Sequence, residues 1–196
     1  MTGLVIRPAR SDDHDAVWSI IGPVFAAGET YVVPRDWSRE QALAYWFSPA
    51  HSIFVCEDEG TVLGTYYLRA NQQGGGAHVA NCGYMTAAGA TGRGIAARMC
   101  EHSLEAARQA GFRAMQFNFV VGTNTRAVAL WQRMGFSIVG RLPRAFDHPS
   151  EGEVDALLRA AALLQLHAHR LGRHVEQRVA DGHRQPRRIA GLLLMP

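Results

Sequence analysis

The chain has 196 residues, of which 47% are hydrophobic, and its 20 basic and 17 acidic residues give a formal net charge of +3. This size and apolar content fit one globular domain with a core of its own. No apolar run approaches the roughly 18 residues that a membrane span requires, and the N-terminus lacks the layout of a secretory signal. We therefore expect a cytoplasmic protein with no membrane partner.

The positive charge is concentrated at the C-terminus. Every basic residue is Arg, and residues 158–196 hold seven of them against Glu176 and Asp181, so this tail carries +5 and the rest of the chain −2. Because the body has no basic stripe, we predict no nucleic-acid partner. We place a domain at 1–157 and an Arg/His-rich extension at 158–196, with an amphipathic helix over 158–171 and disorder over 182–188.

Metal binding and disulfide bonding are not expected. The tail histidines His167, His169 and His174 have no Cys or carboxylate spaced to complete a metal site. The chain has three cysteines, an odd number, and each lies in an apolar context. Reduced thiols in a reducing compartment are the predicted state.

The hydrophobic pattern predicts an α/β domain with a mixed central sheet flanked by helices. A first strand at 4–9 precedes a helix capped by Ser11 and Asp12, and a second helix begins near Trp37. The remaining predicted elements are strands at 53–57, 62–68 and 78–86, a helix ended by Gly111, a strand at 111–121, a helix capped by Asn124, and strands at 137–143 and 153–157.

The segment 81–104 has the strongest functional signal. A short strand leads into a loop of small residues at 87–94 and then into a helix. Free amides and the positive dipole end at such a helix N-terminus hold phosphate oxygens, and Arg93 would add a cationic fork beside them. These residues alone are equally compatible with a simple tight turn.

Thr91-Gly92-Arg93-Gly94-Ile95-Ala96 resembles the Gln/Arg-x-x-Gly-x-Gly/Ala loop of the GNAT-family N-acetyltransferases. Thr91 stands where that family prefers Gln or Arg. The resemblance implies a three-layer GNAT sandwich and acetyl-CoA as the co-substrate, without a metal. It also implies that main-chain amides near Met85 and Thr86 polarise the thioester carbonyl. The implied cofactor-binding residues are Met85, Thr86, Thr91, Gly92, Arg93, Gly94, Ile95, Ala96 and Asn124.

A second motif lies downstream. Asn124-x-x-Ala-x-x-Leu-Trp131-x-x-x-Gly135-Phe136 matches the GNAT pattern Asn-x-x-Ala-x-x-Leu-Tyr-x-x-x-Gly-Phe except at Trp131. The tyrosine of many relatives protonates the leaving thiolate, whereas an indole N–H is a donor and no practical acid. Either water therefore protonates the thiolate, or the thiolate leaves unprotonated as CoA-S⁻.

Three further segments, 28–34, 81–84 and 117–124, are similar to N-acetyltransferases that act on L-azetidine-2-carboxylate, a toxic proline analogue. This resemblance implies that Asn81 and Asn118 hold the acceptor and that Asn124 contacts CoA. It implies a detoxification role and acceptor contacts from Glu29, Thr30, Tyr31 and Tyr84. The alternative for each of the two acceptor asparagines is an amide satisfied by neighbouring backbone.

The implied reaction is direct attack by a small amine or imino acid in a ternary complex. The glutamate usual on the strand before the loop is absent, so the base is His78, Glu29 or, preferably, a water relay. Other readings are acetylation of another amino-bearing toxin such as phosphinothricin, and a non-catalytic acyl-CoA-binding module. A homodimer is a further possibility.

Overall fold

The computed structural model describes residues 3–163. Within this range the chain forms seven strands and four α-helices. The strands are β1 (Val5–Pro8), β2 (Ser52–Asp58), β3 (Thr61–Ala70), β4 (Val79–Thr86), β5 (Ala114–Val121), β6 (Ser137–His148) and β7 (Gly152–Ala162), and the helices are α1 (His14–Ala27), α2 (Arg39–Trp46), α3 (Ile95–Gln109) and α4 (Thr125–Arg133). The predicted order of elements is confirmed.

The strands form one mixed sheet in the order β1-β2-β3-β4-β5-β7-β6. The β4–β5 pair is parallel and has only two register pairs, Val79↔Ala114 and Ala80↔Met115. All other neighbouring strands are antiparallel. Beyond Ala80 the two central strands separate, which opens a gap in the middle of the sheet.

Helices cover both faces of this sheet, as in a three-layer sandwich. Val17, Ile21 and Phe25 of α1 are buried in one core cluster with Trp46 of α2 and Tyr67 of β3. The opposite face carries α3, whose buried side chains recur at helical spacing: Ile95, Met99, Cys100, Ser103, Leu104 and Ala107. The sequence pattern predicts a buried face made of Ala96, Met99, Cys100, Ser103, Leu104 and Ala107, and the structure differs from it only in burying Ile95 rather than Ala96.

The start of α1 differs from the prediction. Neither Ser11 nor Asp12 caps the helix, because both belong to a short 3-10 turn that precedes it. The carboxylate that stabilises this segment is that of Asp13, which accepts hydrogen bonds from the Arg10 amide at 2.6 Å and from the Arg7 guanidinium at 2.7 and 2.9 Å. This partly buried ion pair ties β1 to the 3-10 turn that precedes α1.

The last strand is longer than predicted. β7 continues to Ala162 because its pairing with β5 extends to Ala114↔Ala162. The predicted helix over 158–171 is therefore wrong for residues 158–162, and the domain boundary proposed after Leu157 falls inside a strand. The remainder of that predicted helix, the predicted disorder and the tail histidines lie outside the described residues.

Candidate active site

The gap between β4 and β5 exposes main-chain groups of β4. The Val79 carbonyl and the Ala87 amide bond to the β3 side, which shows that odd-numbered residues direct their backbone groups towards β3. The His78 carbonyl accepts a bond from Arg113, and the Tyr84 carbonyl accepts one from the Tyr31 hydroxyl, so even-numbered residues face the gap.

This alternation separates the two residues predicted to polarise a thioester. It directs the Thr86 amide into the gap, and it directs the Met85 amide at its partner Thr65 on β3. The Met85 side chain is 4% exposed and belongs to the core cluster with α1 and α2. The structure therefore supports Thr86 and does not support Met85 as the donor.

The small-residue loop leaves amides free at the start of α3. Among the described residues, no acceptor is found for the amides of Gly92, Gly94, Ile95 and Ala96, whereas Thr91 and Arg93 donate back to Ala88 and Ala90. Gly94 has φ of 78° and Gly92 has φ of 82°, a left-handed conformation that glycine adopts without strain. This is a main-chain cradle for anionic oxygens.

These amides open into a cavity of about 420 Å³, which we call the loop crevice. It lies between the start of α3 and the side of α4, and Tyr84 and Thr86 of β4 line its floor. The residues of the loop and of the first turn of α3 that line it are Ala90, Thr91, Gly92, Gly94, Ile95, Ala96 and Ala97.

The cations of the loop crevice are not the predicted one. The Arg93 guanidinium forms an ion pair at 3.0 Å with Asp58, the last residue of β2, and Arg93 does not line the crevice. Arg126 and Arg133 of α4 line it instead. Sequence reasoning missed both, because an Arg on an exposed helix face looks the same whether it binds water or phosphate.

Asn124 and Trp131 lie where several cavities meet. Asn124 caps α4, with its Oδ1 accepting from the Ala127 amide at 3.1 Å, so its Nδ2 remains as a donor. Trp131 is 8% exposed and its ring lies 5.0 Å from that of Tyr84. Both residues line the loop crevice and the neighbouring cavity.

That neighbouring cavity, of about 430 Å³, is the inner crevice. It follows the gap between β4 and β5 and is covered from the α1 side by the segment 30–32. The inner and loop crevices share Tyr84, Thr86, Asn124, Ala127 and Trp131. Two ligands, one in each crevice, would therefore meet beside Thr86.

Asn81 and Asn118 both line the inner crevice. Asn81 is 5% exposed and donates from Nδ2 to the Gln116 carbonyl at 2.8 Å, across the point where the strands part. Its Oδ1 has only a 3.5 Å contact with the Tyr67 hydroxyl. Asn118 donates to Asn71 at 2.6 Å. Each amide is thus partly engaged within the chain, and the Asn81 Oδ1 keeps the most capacity to accept a bond.

Two tyrosines that line the inner crevice, Tyr31 and Tyr84, are buried and hydrogen-bonded within the chain. Burial raises the pKa of Tyr31 well above its usual range, and its hydroxyl donates to the Tyr84 carbonyl at 3.2 Å. Burial likewise raises the pKa of Tyr84, whose hydroxyl lies 2.6 Å from Ser103 Oγ. The Tyr84 hydroxyl therefore faces α3, whereas the main chain and the ring of Tyr84 reach the inner crevice.

Cys82 adds a thiol to the same lining. Burial raises the pKa of this thiol to about 12, although hydrogen bonds with Tyr84 and Ser103 oppose the shift. At neutral pH the side chain is an uncharged thiol, and only a thiolate is an effective nucleophile. Cys82 is therefore not an activated nucleophile for a covalent acetyl-enzyme.

The two predicted base residues lie outside the inner crevice. His78 is exposed, its Nδ1 lies 3.1 Å from the Gly75 carbonyl, and the length of β4, roughly 25 Å at 3.3 Å per residue, separates it from Thr86. The structure does not bring His78 to the site. Glu29 is exposed and lines an outer recess of about 350 Å³, which shares Thr30 and Asn124 with the inner crevice.

The profile of the acetyltransferase (GNAT) family matches residues 16–136. The chain is 27% identical over 150 residues to the N-acetyltransferase aca1 of Schizosaccharomyces pombe, an alignment that covers 67% of this chain and 71% of that protein. It is similar to a solved GCN5-related N-acetyltransferase from Kribbella flavida, with 40% identity, a TM-score of 0.78, and coverage of 82% and 98% of the two chains.

A second solved structure, YncA from Salmonella typhimurium with its cofactor acetyl-CoA, has a TM-score of 0.73 at 17% identity, over 83% of this chain and 95% of that one, and shows the shared fold. The free amides and flanking arginines of the loop crevice suit the diphosphate of this co-substrate. The chain therefore belongs to the acetyltransferase (GNAT) family and is an acetyl-CoA-dependent acetyltransferase.

Proposed function

We propose that this acetyltransferase acts on the nitrogen of a small imino or amino acid such as L-azetidine-2-carboxylate, and that it serves detoxification. The observation that carries the proposal is the junction at Thr86, where the loop crevice and the inner crevice meet. The inner crevice, at about 430 Å³, suits a small acceptor. Asn81 and Asn118 supply amide groups that orient a carboxylate or carbonyl without adding charge.

The chain's own groups support direct transfer. Acetyl-CoA would supply the activated acetyl group, with its diphosphate against Gly92, Gly94, Ile95 and Ala96. The Thr86 amide is placed to donate to the thioester carbonyl as negative charge develops there. Since Cys82 is a neutral thiol, the acceptor nitrogen attacks in the ternary complex, and proximity supplies most of the acceleration.

Proton transfer is proposed to run through water. No carboxylate or imidazole lines the inner crevice in the described part of the chain. The outer recess, with Glu29 and His148 in its lining, adjoins at Thr30 and Asn124 and gives solvent a route to the acceptor. Trp131 stands in for the usual tyrosine, so we propose that the thiolate leaves as CoA-S⁻ or is protonated by water.

The test is turnover of purified enzyme with acetyl-CoA and L-azetidine-2-carboxylate, followed by thiol release and by mass spectrometry of the N-acetyl product. Phosphinothricin, spermidine and glycine serve as comparison acceptors. Azetidine-2-carboxylate should have the highest kcat/KM of the four. Faster turnover of phosphinothricin would favour the toxin alternative, and no transfer to azetidine-2-carboxylate would refute the narrow assignment.

We further propose a cytoplasmic homodimer. The support for the compartment is that Cys56, Cys82 and Cys100 are all free and buried. The support for the dimer is an apolar strip on the edge strand β6, where Ile138 is 53% and Val139 60% exposed. Light scattering of the full chain tests the dimer, and an Ile138→Glu variant should shift it to a monomer. Cell fractionation tests the compartment.

A further inference from the structure

The inner crevice contains one charged side chain, Arg69 of β3, among the described residues that line it. No hydrogen bond or ion pair joins its guanidinium to the described part of the chain, and its Nε is buried without any partner. Arg69 is half-buried, and its Nε, which is shielded from water, would normally have an acceptor beside it, because desolvation of a charged group without compensation is costly. The described part of the chain does not provide that acceptor.

The register of the sheet places Arg69 beside the proposed acceptor groups. Arg69 pairs across the strands with Asn81, so the two side chains lie on the same face, and Tyr67 lies two residues before Arg69 on that face. The positive charge of Arg69 affects a nearby imidazole: the pKa of His51 is lowered by burial and also by this charge. Arg69 is thus an unneutralised cation at the Asn81 end of the crevice.

We propose that Arg69 binds the carboxylate of the acceptor and restricts the enzyme to amines that carry an anionic group. This inference rests on the proposed function and names a specificity-determining residue for it. A guanidinium offers two parallel N–H donors to one carboxylate, and such charge-assisted pairs are the stronger hydrogen bonds of proteins. No Asp or Glu stands among the described residues of this lining to receive an ammonium group, so polycationic amines are disfavoured.

The carboxylate and the amine of the acceptor would lie towards opposite ends of the inner crevice. Arg69 pairs with Asn81 near the start of the gap, and Thr86 lies five residues further along β4, at the junction with the loop crevice. Five residues of strand span roughly 16 Å, so the Arg69 side chain must extend along the gap if a carboxylate bound to it is to leave the amine near Thr86. A single cation suits a single anionic group, which favours a simple imino or amino acid over an acceptor with two anionic groups.

The experiment compares L-azetidine-2-carboxylate with its carboxamide, which differs in charge and hardly in shape. The variants are Arg69→Met, Arg69→Lys and, as a matched control, Arg113→Met at an exposed position. Arg69→Met should lower kcat/KM for the carboxylate by roughly 10- to 150-fold and change the value for the carboxamide by less than about 3-fold. The kcat/KM of Arg69→Lys for the carboxylate should lie between those of the wild type and Arg69→Met, because lysine keeps the charge and loses the two parallel N–H donors of the guanidinium.

Calorimetry of CoA binding shows whether each variant keeps a folded cofactor site. An equal loss for carboxylate and carboxamide, or no loss for either, would overturn the role of Arg69 while leaving the proposed function in place. The wild type could acetylate other amino acids and not azetidine-2-carboxylate. The ratio of kcat/KM for the carboxylate to kcat/KM for the carboxamide is then measured on one of those amino acids and its amide. The role of Arg69 is thus tested even when the assignment to azetidine-2-carboxylate fails. If the wild type accepts only amines without an anionic group, or no amine at all, both proposals fail.

Discussion

The strongest test of the cofactor cradle is the substitution Gly94→Ala. Gly94 lies immediately before α3 with φ of 78°, and a Cβ built on it meets no protein atom within 4 Å. The added methyl group would therefore project into the open space of the loop crevice beside the free amides. It would obstruct a diphosphate without colliding with the protein itself.

Gly111, which follows α3, provides a matched control. Its φ is 85°, and a Cβ there also meets no atom within 4 Å. Both alanine variants should lose about 1 kcal/mol of folding free energy, because an L-residue is strained in the left-handed region. For a chain of this size that loss lowers Tm by roughly 2–4 °C. Gly111 does not line the loop crevice, so its substitution leaves the cradle intact.

The two variants should differ in CoA affinity. Losing one hydrogen bond to a charged oxygen raises Kd by about 10- to 150-fold. We expect this increase for Gly94→Ala and less than about a twofold change for Gly111→Ala, measured by calorimetry with CoA at a temperature where both are folded. Equal affinities in the two variants would refute the main-chain cradle, whatever the thermal shifts.

Four further results are expected. Cys82→Ala should keep kcat within about threefold, with no acetyl-enzyme in the mass spectrum, because the thiol is protonated at neutral pH; a large loss would indicate a covalent route. Arg126→Met should raise the KM for acetyl-CoA about 3- to 30-fold, less at high salt, since Arg126 lines the loop crevice as well as the outer recess; an unchanged KM would contradict this. The kcat/KM for the acceptor should rise with pH from about 6 to about 9 without a plateau near a His or Glu pKa, because the inner crevice has no such group. The Arg7 hydrogen bonds lower the pKa of Asp13, so this pair stabilises the fold above the unfolded pKa of about 3.9 and loses its contribution as pH falls through the folded value; Asp13→Asn should cost about 1–3 kcal/mol in urea unfolding at pH 7, and the difference should shrink at pH 3.

The predictions that succeeded rest on local chemistry. Asn124 was expected to cap a helix, and its Oδ1 does accept from the Ala127 amide, because capping involves residues three apart. The apolar stripe of α3 follows helical spacing and needs no tertiary information. The loop before α3 has free amides because small residues and two left-handed glycines allow that path.

The structure departs from the sequence-based expectations where distant partners determine the geometry. Arg93 turns away from the loop crevice because Asp58, 35 residues earlier in the chain, forms an ion pair with it. Whether Met85 or Thr86 directs its amide into the gap depends on the register between β3 and β4, which the sequence does not reveal. Arg69 was overlooked for the same reason, since only the paired strand shows that it lies beside Asn81.

The unpaired Arg69 also bears on how an acceptor amine loses its proton. In a free amino acid the carboxylate stabilises the neighbouring ammonium group and so holds the pKa of the amine up. If Arg69 neutralises that carboxylate, the stabilisation is lost, and partial desolvation in the crevice disfavours the ammonium further. Both effects lower the pKa of the bound amine, so a relay of water suffices to remove its proton. The described lining of the inner crevice has one cation and no carboxylate, so the proposed mechanism needs no dedicated base. In Arg69→Met the rise of kcat with pH should move to higher pH, because kcat reports the pKa of the bound amine.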